Sequence, residues 1–142
     1  MKYVLDASVA LKWVLPEPDA AKAIRLRDDF PKGVHQLLVP DVFPAEIGHA
    51  LARAERRGII PTPHGAVFLA DILSTLPQLV PSFPGLLSRA FAIASAARTG
   101  LYDCLYIALA EQENCPVLTA DDRLVRNLQA QFPFILPLSA LP

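Results

Sequence analysis

The chain has 142 residues and a formal charge of −1, with 13 Lys and Arg against 14 Asp and Glu; 53% of it is hydrophobic and the mean hydropathy is +0.35. That length suits one domain over residues 1–142 with a core of its own, burying about two-thirds of the surface an unfolded chain exposes. The balanced charge excludes a protein held to nucleic acid by a global basic field, and charges interrupt every apolar run before the roughly 18 residues a membrane span needs.

The N-terminal "KYVL" reads as a short strand, and "DASVALKWVL" has helical spacing that turns Val9 and Trp13 toward a core before Pro16 stops it. Asp6 and Lys12 break the run that a signal peptide would need, so none is expected. "DAAKAIRLRDDF" from Asp19 reads as a half-exposed helix, closed by Pro31 and Gly33, and "QLLVP" as a second strand. Asp41 is a suitable N-cap for "VFPAEIGHALARAERRG", with Pro44 in its first turn and Gly58 as its stop. A helix over "PHGAVFLADILSTL", a strand at "QLVPS" and a helix over "GLLSRAFAIASAARTG" follow, the last with Gly100 as its expected left-handed cap. "LYDCLYIALA" then predicts a helix, "PVLTA" a strand, "DDRLVRNLQAQF" a helix and "FILPL" a final short strand. Alternation of this kind predicts an α/β domain with a mainly parallel sheet covered on both faces. Cys104 and Cys115 have no metal-ligand spacing and are too few for a disulfide framework, which fits small buried residues in a reducing cytosol.

Ligands of open parallel sheets bind beyond the carboxyl ends of the strands, and that is where this chain puts acids. Asp6 follows "KYVL", Asp121 and Asp122 follow "PVLTA", Asp103 opens the helix after Gly100, and Glu46 rides the helix after "QLLVP". Taken singly, each Asp reads first as a helix cap, and Glu46 reads equally as part of a solvated face with His49 and Arg53. Gathered at one rim they read differently. Carboxylates about 4 Å apart repel by about 4 kcal/mol per pair at an effective dielectric near 20, so a fold that collects them implies a cation. An all-oxygen set suits Mg²⁺ or Mn²⁺; the histidines His35, His49 and His64 are scattered.

With "DAS" at Asp6 to Ser8, Glu46 in "PAEIGHAL", Asp103 in "LYDCLYIALA" and "LTADDRL" from Leu118, the chain resembles the PIN-domain proteins along almost its whole length. More narrowly it resembles the VapC toxins of type II toxin-antitoxin systems. The resemblance implies a three-layer α/β/α sandwich and a cytoplasmic, metal-dependent endoribonuclease that hydrolyses RNA phosphodiester bonds. It implies Asp6, Asp103 and Asp121 as ligands of Mg²⁺ or Mn²⁺, and Glu46 as the fourth acid; Asp122 stands as the substitute for Asp121 or the holder of a second ion. Ser8 and Thr119 match the family's hydroxyls that orient an acid or a metal-bound water. Lys12, Arg53, Arg98 and Arg123 are candidates for guiding substrate phosphates, each also readable as a solvated helix charge. A cognate antitoxin and a homodimer are the implied protein partners, with Trp13, Phe43, Phe68 and Ile72 as apolar surface for one or the other, or else as ordinary core.

Three other readings fit less well. A receiver domain wants an acidic pair at the first strand and a Lys ending a late one; here Asp6 is followed by Ala7 and Ser8, and no Lys follows "PVLTA" or "FILPL". A haloacid-dehalogenase-like phosphatase wants D-x-D in place of "DAS". A catalytically silent PIN-like module that only binds RNA or a protein would lack acids, and none is missing.

Overall fold

The computed structural model describes residues 1–142. Five short strands, β1 (Lys2–Leu5), β2 (Gln36–Pro40), β3 (Gln78–Val80), β4 (Val117–Thr119) and β5 (Ile135–Pro137), form one sheet in the order β3-β2-β1-β4-β5, parallel at every pairing. Val4, Leu5, Leu37, Leu38, Val39, Val117 and Leu118 are all buried, because a parallel sheet covered on both faces leaves no solvated side for alternation to serve. Seven helices make the connections and the covering layers: α1 (Ala7–Leu11), α2 (Ala20–Asp29), α3 (Phe43–Arg56), α4 (His64–Leu73), α5 (Leu87–Ala97), α6 (Leu101–Glu113) and α7 (Asp122–Leu128). The result is the expected three-layer α/β/α arrangement.

The chain builds β1, β2 and β3 outward in one direction, then returns to add β4 and β5 on the other side of β1. Strand order therefore reverses between β1 and β4, and the crevice beyond their carboxyl ends is the natural ligand position. Helix α6 fixes that crevice from one side. Its residues Cys104 to Ala110 are all buried, and it packs on β1, β2, β4 and α5, which is why its sequence is apolar all round instead of striped. Each of Leu105, Ile107 and Leu109 contributes about 1.5–3 kcal/mol by burial, enough to hold the head of the helix where it lies.

Four expectations from sequence need correction. Asp41 does not cap α3; Val42 takes that position, and the Asp41 carboxylate instead accepts bonds from the backbone N–H and the hydroxyl of Ser82, tying the end of β2 to the segment after β3. Gly100 is not the left-handed cap of α5. It is extended, at φ −66° and ψ 141°, and opens α6, while Arg98 occupies the left-handed position at φ 56° and ψ 46°. Helix α1 ends at Leu11, well short of Pro16. Finally, Trp13, Phe43 and Ile72 are buried core and Phe68 is half-buried, so these residues are not a docking surface. Trp13 fastens α2: its indole N–H donates to the Ala23 carbonyl at 3.0 Å, and the Arg27 guanidinium lies 4.9 Å from the ring centroid.

Candidate active site

Asp6 is the fixed point of the crevice. It ends β1 beside β4, its backbone N–H donating to the Leu118 carbonyl at 3.0 Å, and it is only 6% exposed. Its side chain does not cap α1. Instead Asp6 Oδ2 accepts from the hydroxyls of Ser8 and Thr119, the latter at 2.8 Å. Those hydroxyls are themselves held by the end of β4: the Ala120 N–H donates to Ser8 Oγ at 2.9 Å and the Asp121 N–H to Thr119 Oγ1 at 3.0 Å. Two strands and a two-residue turn thus aim one carboxylate, leaving Asp6 Oδ1 outside the network. Burial pushes the Asp6 pKa up, the two hydroxyl bonds pull against that, and the Asp121 charge adds to it.

Asp103, Glu46 and Asp121 are each close enough to Asp6 to couple with its charge. Asp103 lies in the first turn of α6, whose Gly100 start offers no side-chain cap, and its carboxylate takes no hydrogen bond from the backbone. Its pKa is pushed up to about 6, first by burial and then by the charges of Asp6 and Asp121, with Arg123 offsetting part of the rise. Glu46, in the first turn of α3, is pushed up to about 7 by burial and by Asp6 and Asp103. The Tyr106 hydroxyl faces it closely enough to temper that rise, but the two do not meet hydrogen-bond geometry, and Glu46 Oε1 and Tyr106 Oη both stand buried without a partner. The alternative of a solvated Glu46 face therefore does not hold, although His49 and Arg53 on that helix are exposed. None of the four acids belongs to an ion pair.

The capping alternative holds at one position. Asp121 is the N-cap of α7, Oδ1 accepting from the N–H groups of Arg123 at 2.9 Å and Leu124 at 3.3 Å. Asp122 is exposed and lines a cleft of about 520 Å³ shared with Ser8, Thr119 and Asp121, which also holds Lys12, Glu17 and Asp19. Lys12 is bound there to Glu17 at 3.4 Å. Arg98 and Arg123 line a second cleft, of about 400 Å³, together with Asp103 and Asp121. Arg53 lines neither of these clefts. Tyr106 escaped the sequence reading, yet its position three residues after Asp103 puts it on the same face of α6, a signal that was there to read.

The donor set is chemically suited to a hard divalent ion: carboxylate oxygens and hydroxyls, no thiolate or imidazole among them, a buried Glu46 oxygen without a partner, and like charges raising one another's pKa. As placed, no three of these acids close around a common point as the ligands of one ion would. The cap bond engages one oxygen of Asp121.

The model of the PIN domain matches residues 3–128. Over 133 residues the chain is 35% identical to a VapC ribonuclease of Mycobacterium bovis, covering 92% of this chain and 94% of that protein. It is 29% identical to Ribonuclease VapC3 of Pyrobaculum aerophilum over 137 residues, 96% of this chain and 98% of the other. Two crystal structures share the fold. The Pyrobaculum aerophilum protein PAE2754 superposes with a TM-score of 0.70 at 20% identity, covering 98% of this chain and 85% of that one. VapBC2 of Rickettsia felis, bound to a DNA fragment from its promoter, gives 0.66 at 14% identity, with 96% and 97% covered.

Proposed function

Because this chain belongs to the PIN-domain family, in its VapC ribonuclease branch, we propose that residues 1–142 act as one endoribonuclease domain that hydrolyses RNA phosphodiester bonds with Mg²⁺ or Mn²⁺, as the toxin of a toxin-antitoxin pair. The observation that carries this reading is the electrostatic coupling of Asp6, Glu46, Asp103 and Asp121 near the β1/β4 reversal, with no salt-bridge partner for any of them.

In this reading Asp6, Asp103 and Asp121 hold the ion and Glu46 completes the set. A divalent ion there supplies what phosphodiester hydrolysis needs, a water acidified into a nucleophile and positive charge against the departing oxygen. The chain's own residues do the positioning. Ser8 and Thr119 keep the Asp6 carboxylate in one orientation and offset part of the rise in its pKa that burial causes. Glu46, whose pKa of about 7 lies near neutrality, is the group able to accept a proton from a water and return it. The buried body of α6 keeps Asp103 from swinging away into solvent.

A cognate antitoxin is the proposed protein partner, and a second copy of the chain a further one. Phe83, Phe91 and Tyr102, 76%, 64% and 57% exposed, are apolar surface available for such contacts in place of the buried residues expected from sequence. No helix is long and apolar enough to cross a membrane, and the two buried free cysteines accord with a reducing cytoplasm.

The test is to incubate the purified chain with RNA in Mg²⁺ or Mn²⁺, and again with chelator. Cleavage that stops on chelation is the expected result. Intact RNA under every metal condition, from a protein that still melts cooperatively, would move the assignment to a binding-only module.

A further inference from the structure

The two clefts flanking the acids differ in charge. The one reached by Asp122 carries Glu17, Asp19, Asp121 and Asp122 against a single Lys12 that is already paired to Glu17. The other carries Arg98 and Arg123 beside Asp103 and Asp121, with Thr99, Gly100 and Asn127 completing its wall. Neither arginine has an ion-pair partner, and neither is among the side-chain hydrogen-bond donors. Arg27 and Arg89 are engaged by acids and Arg25 by a backbone carbonyl; Arg53, Arg56, Arg57 and Arg126 are unpaired as well, but of the unpaired arginines only Arg98 and Arg123 line this cleft beside the acids.

Arg98 stands where a different residue would be easier to accommodate. It closes α5 in the left-handed conformation, the position at which glycine is the least strained residue. That geometry turns the chain within Arg98, Thr99 and Gly100 directly into α6, and so makes Arg98 part of the wall of the cleft that Asp103 lines. Arg123 lines the same cleft from α7, its backbone anchored by the bond that its own N–H donates to Asp121 Oδ1.

We propose that Arg98 and Arg123 form a two-sided clamp for a backbone phosphate of the RNA strand next to the one being cut, with Asn127 as an added donor. The strand then lies along the Arg98/Arg123 cleft, and the Asp122 cleft, with its excess of carboxylates, does not carry a phosphate. This deepens the endoribonuclease reading and rests on it. Planar guanidinium groups suit phosphate oxygens geometrically, and each contact made to a single strand contributes about 0.7 to the salt slope of binding through counterion release.

The experiment measures binding of a short, fluorescently labelled single-stranded RNA by anisotropy, in chelator so that nothing is cut, across a series of potassium chloride concentrations. Arg98→Gly and Arg123→Ala are expected to weaken binding about tenfold each, and to flatten the log–log salt dependence by about 0.7 each. Arg98→Gly is also expected to melt at or above the wild-type temperature, since glycine relieves the left-handed backbone; a merely structural Arg98 would not separate the two readouts. Arg126→Ala, on the same helix as Arg123 but outside the cleft, serves as the control and should leave affinity and slope unchanged. Unaltered slopes in the Arg98 and Arg123 variants, or an equal change in Arg126→Ala, would overturn the clamp. If wild-type protein cuts RNA in metal while those variants bind like wild type, the clamp alone fails; if wild type neither binds nor cuts, the activity assignment fails with it.

Discussion

Replacing Asp103 by Asn separates a carboxylate kept for an ion from one kept for its helix. The Asp103 pKa stands at about 6 against an ordinary 3.8, for burial and for the charges of Asp6 and Asp121. The folded protein therefore holds a proton between those two pH values that the unfolded chain has released, and stability falls as pH rises from 3.8 through 6, then stays low. The displacement corresponds to about 3 kcal/mol, and halving it for the solvent that reaches this half-buried group leaves about 1.5 kcal/mol. Losing a first-turn charge from α6 takes back about 0.5 kcal/mol. Asp103→Asn should thus be about 1 kcal/mol more stable than wild type in chelator above about pH 7, raising Tm by about 3 °C, with the gap closing toward about pH 4. Saturating Mg²⁺ or Mn²⁺ should reverse the order, because only the intact acid set gains the full binding stabilisation, while RNA cleavage by the variant falls about a hundredfold or more. Melting curves by circular dichroism across pH, with and without metal, read all of this. A variant that melts below wild type in chelator, or a gap that ignores pH, would refute the electrostatic account and return Asp103 to the role of a helix-stabilising acid.

Glu46→Gln should flatten the loss of stability that wild type shows in chelator between about pH 4.5 and 7, measured as urea midpoints, because the folded carboxyl titrates near 7. Thr119→Val removes one donor from Asp6 Oδ2 and the acceptor of the Asp121 N–H; it should cost about 1–3 kcal/mol at neutral pH and less in acid, where Asp6 is protonated, and Thr119→Ser should restore most of it. Asp121→Ala should lose the α7 cap, about 1 kcal/mol, whereas Asp121→Asn should keep the cap and the melting temperature but still lose cleavage. Asp122→Ala should leave stability within about 0.5 kcal/mol and depress cleavage less than Asp121→Asn does; the reverse order of activities would assign the ligand to Asp122.

The strands and the acids were legible because both depend on local chemistry. Short β-branched and leucine runs between prolines and aspartates announce buried parallel strands, and an acid directly after each of "KYVL" and "PVLTA" falls at a strand end by construction. What stayed hidden depends on partners far along the chain. Asp41 looked like a cap because it precedes a helix, but Ser82, forty-one positions away, supplies its hydrogen bonds. Gly100 looked like the left-handed residue because glycine is the usual one there; that Arg98 takes the position instead, at the edge of a cleft, is invisible without the fold. Trp13, Phe43 and Ile72 looked available for a partner because apolar residues are silent about which surface buries them.

Asp121 shows why single-residue readings of this site divide into cap or ligand without need. Its Oδ1 holds the first turn of α7 through two N–H groups, and its backbone N–H holds Thr119, which in turn holds Asp6. Capping fixes where the carboxylate stands, and a fixed carboxylate with its other oxygen free of the cap is what an ion requires of a ligand. The repulsion that results is local and of the order of a few kcal/mol, well below what the buried length of α6 contributes to holding the same rim in place. The coupled acids contribute little to stability and the buried length of α6 contributes much, so substitutions in the acid cluster should divide activity from stability far more cleanly than substitutions in α6, where Leu105 or Ile107 to Ala loses both together.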